Sequence, residues 1–132
     1  MIGADTVQHL KLVRVGSGFI GYRSIETGFN QTWFSDLAEC TQIVEKRSPS
    51  HDVWVSMAHY PSPAQSREAK YAQKLCSYWL DIDAHEGSQY QTIEEVESAL
   101  ETFIQKSGLV KPTIVHKTGY GVHCFWSLAQ AL

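Results

Sequence analysis

An α+β fold is expected for this chain from three features of its second half. These are an apolar strand ending in paired carboxylates, Ser77-Tyr78-Trp79-Leu80-Asp81-Ile82-Asp83, a strongly marked helix, and two strands around Thr118-Gly119-Tyr120-Gly121. A less regular first half mixes short strands and helices. The expected organisation is one domain of 132 residues, with an N-terminal mixed αβ module at 1–66 and a strand-helix-strand-strand part at 67–132.

Element by element, Leu10-Lys11-Leu12-Val13-Arg14-Val15 and Phe19-Ile20-Gly21-Tyr22-Arg23-Ser24-Ile25 resemble two strands of an opening hairpin about Gly16-Ser17-Gly18. Asp36, with Glu39 three residues on, predicts a helix start, and Leu37, Cys40 and Val44 supply its apolar stripe up to Ser48-Pro49-Ser50. Val53 to Met57 reads as a strand and Tyr60-Pro61-Ser62-Pro63 as a break. Arg67 to Leu75 reads as a short helix or an irregular approach to the acidic strand.

Thr92-Ile93-Glu94-Glu95 is a capping box. Ile93, Val96, Leu100, Phe103 and Ile104 recur at helical spacing, and Gly108 with Pro112 marks the exit. Thr113 to Lys117 and Val122 to Leu128 then form a tight hairpin. Strand, helix, strand, strand is the opening of a ferredoxin-like or RNA-recognition-motif (RRM) unit, in which the first and third strands are neighbours. A right-handed crossover puts the helix on one face and leaves Asp81, Asp83 and His123 together on the other. The closing Ser127-Leu128-Ala129-Gln130-Ala131-Leu132 reads as the start of a further helix.

Composition narrows the function classes. With 43% hydrophobic residues the chain suffices for one core. No apolar run reaches membrane-spanning length and Met1-Ile2-Gly3-Ala4-Asp5 lacks a signal-peptide pattern, so a cytoplasmic protein without a membrane partner is expected. Cys40, Cys76 and Cys124 are widely spaced, which indicates neither a disulfide framework nor a zinc knuckle. A net charge of −3 excludes coating of nucleic acid by bulk charge and leaves room for a local basic groove.

The chemistry gathers at the acidic strand. Alternation sends Asp81 and Asp83 to one face while Leu80 and Ile82 point into a core. Two acids on one face repel unless a proton or cation neutralises them, and Mg²⁺ or Mn²⁺ takes hard oxygen ligands readily. Gly119 and Gly121 let backbone N–H groups approach phosphate oxygens, and His123 opposes their charge. Taken singly, each of these motifs is commoner as turn or sheet chemistry; their order around a well-marked helix is what points to a site. His9, His51, His59, His85 and His116 show no metal-ligand spacing and read as surface or loop residues, while Arg67 and Lys70 read as a solvated face or the wall of a template path. The four tryptophans, Trp33, Trp54, Trp79 and Trp126, read as core or groove walls that could also stack on bases.

Trp79-Leu80-Asp81-Ile82-Asp83, the helix, Pro112-Thr113-Ile114-Val115 and Thr118-Gly119-Tyr120-Gly121-Val122-His123-Cys124-Phe125-Trp126 together resemble the archaeo-eukaryotic primase (primase-polymerase) superfamily, nearest to plasmid and phage replication primases. The likeness covers residues 67–128, with Arg67 ahead of the acidic strand. It implies a palm-type sheet in which Asp81 and Asp83 hold two catalytic metals, Mg²⁺ or Mn²⁺, and His123 contacts the phosphates of an incoming nucleotide. Thr118 stands where a serine usually opens the glycine turn, and Lys117 adds a phosphate contact. The implied partners are nucleoside triphosphates, a single-stranded DNA template and a replicative helicase.

The family also uses a third carboxylate on a strand after the histidine motif, and this chain has no Asp or Glu after Glu101. The reading is therefore an N-terminal piece of a longer primase, or a truncated relative. Two alternatives stand beside it. One is a non-catalytic module that binds nucleotide or single-stranded nucleic acid. The other is a different metal-dependent phosphohydrolase with Asp81 as nucleophile, for which Ala84-His85 is a poor match to the haloacid-dehalogenase pattern.

Overall fold

A computed structural model describes residues 4–132. The leader reading of the N-terminus rests partly on Met1, Ile2 and Gly3, which lie outside the described residues. The protein is mixed α+β and divides into two compact units, one of residues 1–77 with 128–132 and one of residues 78–127. The division falls later than the expected 66/67 because the segment before the acidic strand is built into the first unit.

The first unit opens with α1 (Ala4–Leu12), followed by β1 (Gly18–Ser24), β2 (Gly28–Phe34), α2 (Leu37–Arg47) and β3 (Asp52–Val55). Its sheet has the order β2-β1-β3, and β1 is antiparallel to both neighbours. The expected opening hairpin is corrected here: residues 10–12 are helical, and Val13 N–H still donates to the His9 carbonyl at 3.0 Å. Leu10 and Val13, 4% and 2% exposed, are three apart on one helical face, so burial selects the helix over the alternation that suggests a strand. The real hairpin joins β1 to β2 from Ser24 to Gly28.

Asp36 caps α2 as the sequence implies, its side chain accepting from Glu39 N–H at 2.9 Å. Glu39 reaches back to accept from both the N–H and the hydroxyl of Ser35, each at 2.7 Å. Ile20, Phe34, Cys40 and Val44, with Leu10 of α1, make the core of this unit. His59, expected at the surface, is instead buried. Its Nε2 donates to the Arg14 carbonyl at 2.8 Å, beside a Gly16 that leaves room for the ring.

The stretch from Arg67 contains only a 3₁₀ turn, Ala69–Tyr71, before β5 (Lys74–Leu75) pairs with β4 (Ala58–His59). Residues 128–132 do not begin a helix. Leu128 N–H donates to the Cys76 carbonyl, and Leu75 and Leu132 exchange two backbone bonds, all at 2.9 Å. Without a capping side chain, the extended pairing satisfies these groups where a helix start would leave them open.

The second unit comprises β6 (Ser77–Asp83, its first residue counted with the first unit), α3 (Ile93–Ser107), β7 (Ile114–Lys117) and β8 (Gly121–Ser127). The sheet order is β6-β8-β7, with β7 antiparallel to β8. Contacts between β6 and β8 also run in opposite senses, Ala84 N–H meeting the Tyr120 carbonyl and Asp81 meeting His123. Hence β6 and β7 run parallel with β8 between them.

Thr92 caps α3 by accepting from Glu95 N–H at 3.2 Å, and Gly108 closes it in the left-handed region at φ 71°. Val96 and Leu100 of α3 pack on Val122, Cys124 and Trp126 of β8. Trp126 satisfies its buried indole by donating to the Val110 carbonyl at 2.8 Å. Leu80 departs from its expected core position and is 38% exposed, because β6 is an edge strand within this sheet.

Candidate functional site

Val122, Cys124 and Trp126 are claimed by the α3 core, so alternation along β8 sends Gly121, His123 and Phe125 to the opposite face. On β6, Leu80 and Ile82 line a small apolar cavity with Ala99, Leu100 and Phe103 of α3. Trp79, Asp81 and Asp83 therefore share the face of His123. Two strands that are distant in sequence meet here: His123 Nε2 lies 2.7 Å from Asp81 Oδ1. This contact is an ion pair when the imidazole is protonated, and both side chains stay open to solvent. Asp83 lies on the same face one pleat further along.

His116, at the surface as expected, also joins this face. It is the direct cross-strand neighbour of His123, and its ring meets that of Phe125 edge-on at 6.2 Å. The signal for it in the sequence is the hairpin itself. Thr118 N–H donates to the Gly121 carbonyl at 2.9 Å, and counting back from that closure puts His116 opposite His123.

The other residues expected at the site are dispersed. Lys117 points to the helix side, where its ammonium pairs with Glu97 of α3 at 2.9 Å. That hydrogen bond holds the Lys117 pKa above its ordinary value. Thr118 is engaged within the turn, its hydroxyl accepting from Tyr120 N–H at 3.3 Å. Gly121 has a packing reason to be glycine: a Cβ there would lie 2.0 Å from the Ile82 carbonyl oxygen. Gly119, by contrast, faces open space and is absent from the positive-φ residues, so neither backbone conformation nor crowding demands glycine there.

Beneath the face, burial pushes the Cys124 thiol up from its ordinary value, partly opposed by a backbone hydrogen bond at Leu80, so it is no nucleophile for the site. His85 is held in its own loop by the Glu86 carbonyl at 2.9 Å. Among the described residues no group of three or more His, Cys, Asp or Glu side chains is arranged to hold a metal unaided. The donors that share the face are two carboxylates and two imidazoles, partly paired with each other. No helix among the described residues is long and apolar enough to cross a membrane. No protein-family model, curated protein or solved structure matches the chain.

Proposed function

We propose that the β6–β8 face is the nucleotide site of a primase-polymerase-type nucleotidyl transferase acting on a single-stranded DNA template, within an RRM-like, palm-type sheet. The observation that carries this reading is the meeting of Asp81 with His123 beside Asp83, on the face away from α3. The β6-β8-β7 order, with β6 and β7 parallel, supports the ferredoxin-like half of it.

Asp81 and Asp83 offer hard oxygens, which suit Mg²⁺ or Mn²⁺, ions that are ordinarily held by one or two carboxylates, water and substrate phosphates. When bound, such ions activate an attacking hydroxyl and stabilise the leaving pyrophosphate. The rest is the work of the protein's own groups. Asp81 orients His123 through the 2.7 Å contact, so that the imidazole is held at the edge where triphosphate charge would lie. The bare Gly119 leaves the turn free of side-chain bulk beside it.

A second reading, binding without catalysis, is favoured by one observation: the 2.7 Å contact with His123 already engages one of the two acids. A calorimetric titration tests both readings, and a primer-synthesis assay separates them. Mn²⁺ with a nucleoside triphosphate is titrated into the chain and into Asp81→Ala/Asp83→Ala and His123→Ala variants. Binding that disappears without the acids and weakens at least fivefold without the imidazole is the expected result. Absence of binding by the folded wild type would sink both readings. Binding without primer synthesis on a DNA template would favour the second.

A further inference from the structure

The sheet of the first unit has an open face that the nucleotide site does not use. Ile20, Tyr22, Val53 and Val55 point to the α2 side, so Gly21 and Arg23 of β1, Phe29 of β2 and Trp54 of β3 face the other way. The rings of Phe29 and Trp54 lean together over Gly21, with centroids 6.3 Å apart and planes at 42°. A Cβ on Gly21 would come within 3.0 Å of the Phe29 ring, so the glycine is what lets the rings lie low on the sheet.

Covering a glycine accounts for where the rings start, not for their exposure. Phe29 and Trp54 remain 48% and 51% accessible, and the guanidinium of Arg67 lies over the Phe29 ring at 4.8 Å. Arg23, also exposed, borders Phe29 on one side and Asp52 on the other. Flat aromatic surface beside guanidinium groups is the chemistry of stacking on unpaired bases with phosphate contacts alongside. A duplex would hide its base faces, and an acidic chain has no bulk charge with which to coat one.

We propose that this face binds single-stranded nucleic acid, with bases stacked on Phe29 and Trp54 and with Arg67 and Arg23 directed at the backbone. The inference stands apart from the nucleotide-site reading, because it uses no residue of the second unit.

The test is fluorescence anisotropy of a labelled 20-nucleotide oligodeoxythymidylate with the full chain, without divalent metal or nucleotide. Phe29→Ala/Trp54→Ala should weaken binding about tenfold or more. Because that variant uncovers Gly21, Phe29→Leu/Trp54→Leu serves as a partner that keeps apolar cover without a π-face; it should lose a similar factor. Phe29→Tyr/Trp54→Phe should restore binding to within about threefold. Arg67→Gln should weaken it several-fold, and the salt slope should be shallow, roughly −1 to −2 for two phosphate contacts. Asp81→Asn should leave oligonucleotide binding unchanged even where it abolishes nucleotide binding, which separates the two proposals. Lack of saturable binding, equal affinity for a duplex of the same length, or Leu variants that bind like wild type would overturn the inference. So would a dimer that the Leu variant dissolves without change in oligonucleotide affinity, since the face would then belong to a second copy.

Discussion

Gly121 and Gly119 stand two residues apart in one turn and do opposite things. A methyl group at Gly121 meets the Ile82 carbonyl at 2.0 Å, and neither partner is a flexible side-chain end, so β8 must move away from β6. Gly121→Ala should therefore lose about 1–3 kcal/mol in urea unfolding and loosen the contact of Asp81 with His123. Gly119→Ala should leave stability within about 0.5 kcal/mol, since nothing lies within 4 Å of its Cβ. Equal stability of the two variants would show that β8 is not packed against β6 as described. Cys40 gives a second residue-scale expectation. Its side chain is fully buried, and burial pushes the thiol from 9.0 to about 12. A thiol whose folded value is raised adds stability that is fully present below pH 9 and is lost as pH climbs towards 12. The urea midpoint of wild type should fall across that window more steeply than that of Cys40→Ala, and a thiol reagent at pH 8 should leave Cys40 unmodified in the native state. Parallel pH profiles would refute this.

At the scale of elements, local capping chemistry was legible and long-range choice was not. Asp36 with Glu39 and Thr92 with Glu95 mark two helices whose caps form as the spacing implies, because a cap is decided within four residues. Thr92→Ala should cost about 1 kcal/mol and fray α3 at its start, measurable as faster amide exchange at Glu95. At the α2 cap, the Ser35 hydroxyl, then its N–H, holds the Glu39 carboxyl below its ordinary value. That contribution is present above the ordinary carboxylate range and is lost as pH falls through the lowered value. The first strand of the apparent hairpin, Leu10 to Val15, gives way to a helix for a reason of scale: Leu10, Leu12 and Val13 satisfy both periods over so short a run, and only the α2 side of the sheet, remote in sequence, decides for a helix. β2 went unread because Gly28 to Asn30 are exposed and only Phe34 is buried, leaving little alternation to see. The acid and histidine face was legible because Leu80-Asp81-Ile82-Asp83 alternates in sequence and His123 stands between Val122 and Cys124. His116 was missed because it becomes visible only through register.

At the scale of the molecule, the two cores share no residue: Leu10, Ile20, Phe34, Cys40 and Val44 hold one, and Val96, Leu100, Val122, Cys124 and Trp126 hold the other. The chain nevertheless does not divide once, because it passes through the second unit and returns at residues 128–132 to the first. That return is made of backbone pairing, Leu128 to Cys76 and Leu75 with Leu132, reinforced by the Arg14 guanidinium donating to the Leu128 carbonyl. Removing residues 129–132 therefore deletes the paired bonds at Leu75 and should cost about 1–3 kcal/mol, at roughly 0.5–1.5 kcal/mol for each bond. The loss should be local. Hydrogen exchange at Leu75 should accelerate markedly, while Val96 N–H inside α3 and Thr113 N–H, bonded to the Phe125 carbonyl at 2.7 Å, keep their protection. If protection of Val96 and Thr113 fell in step with that of Leu75, the chain would unfold as one cooperative body, and the division into two cores would carry no energetic meaning.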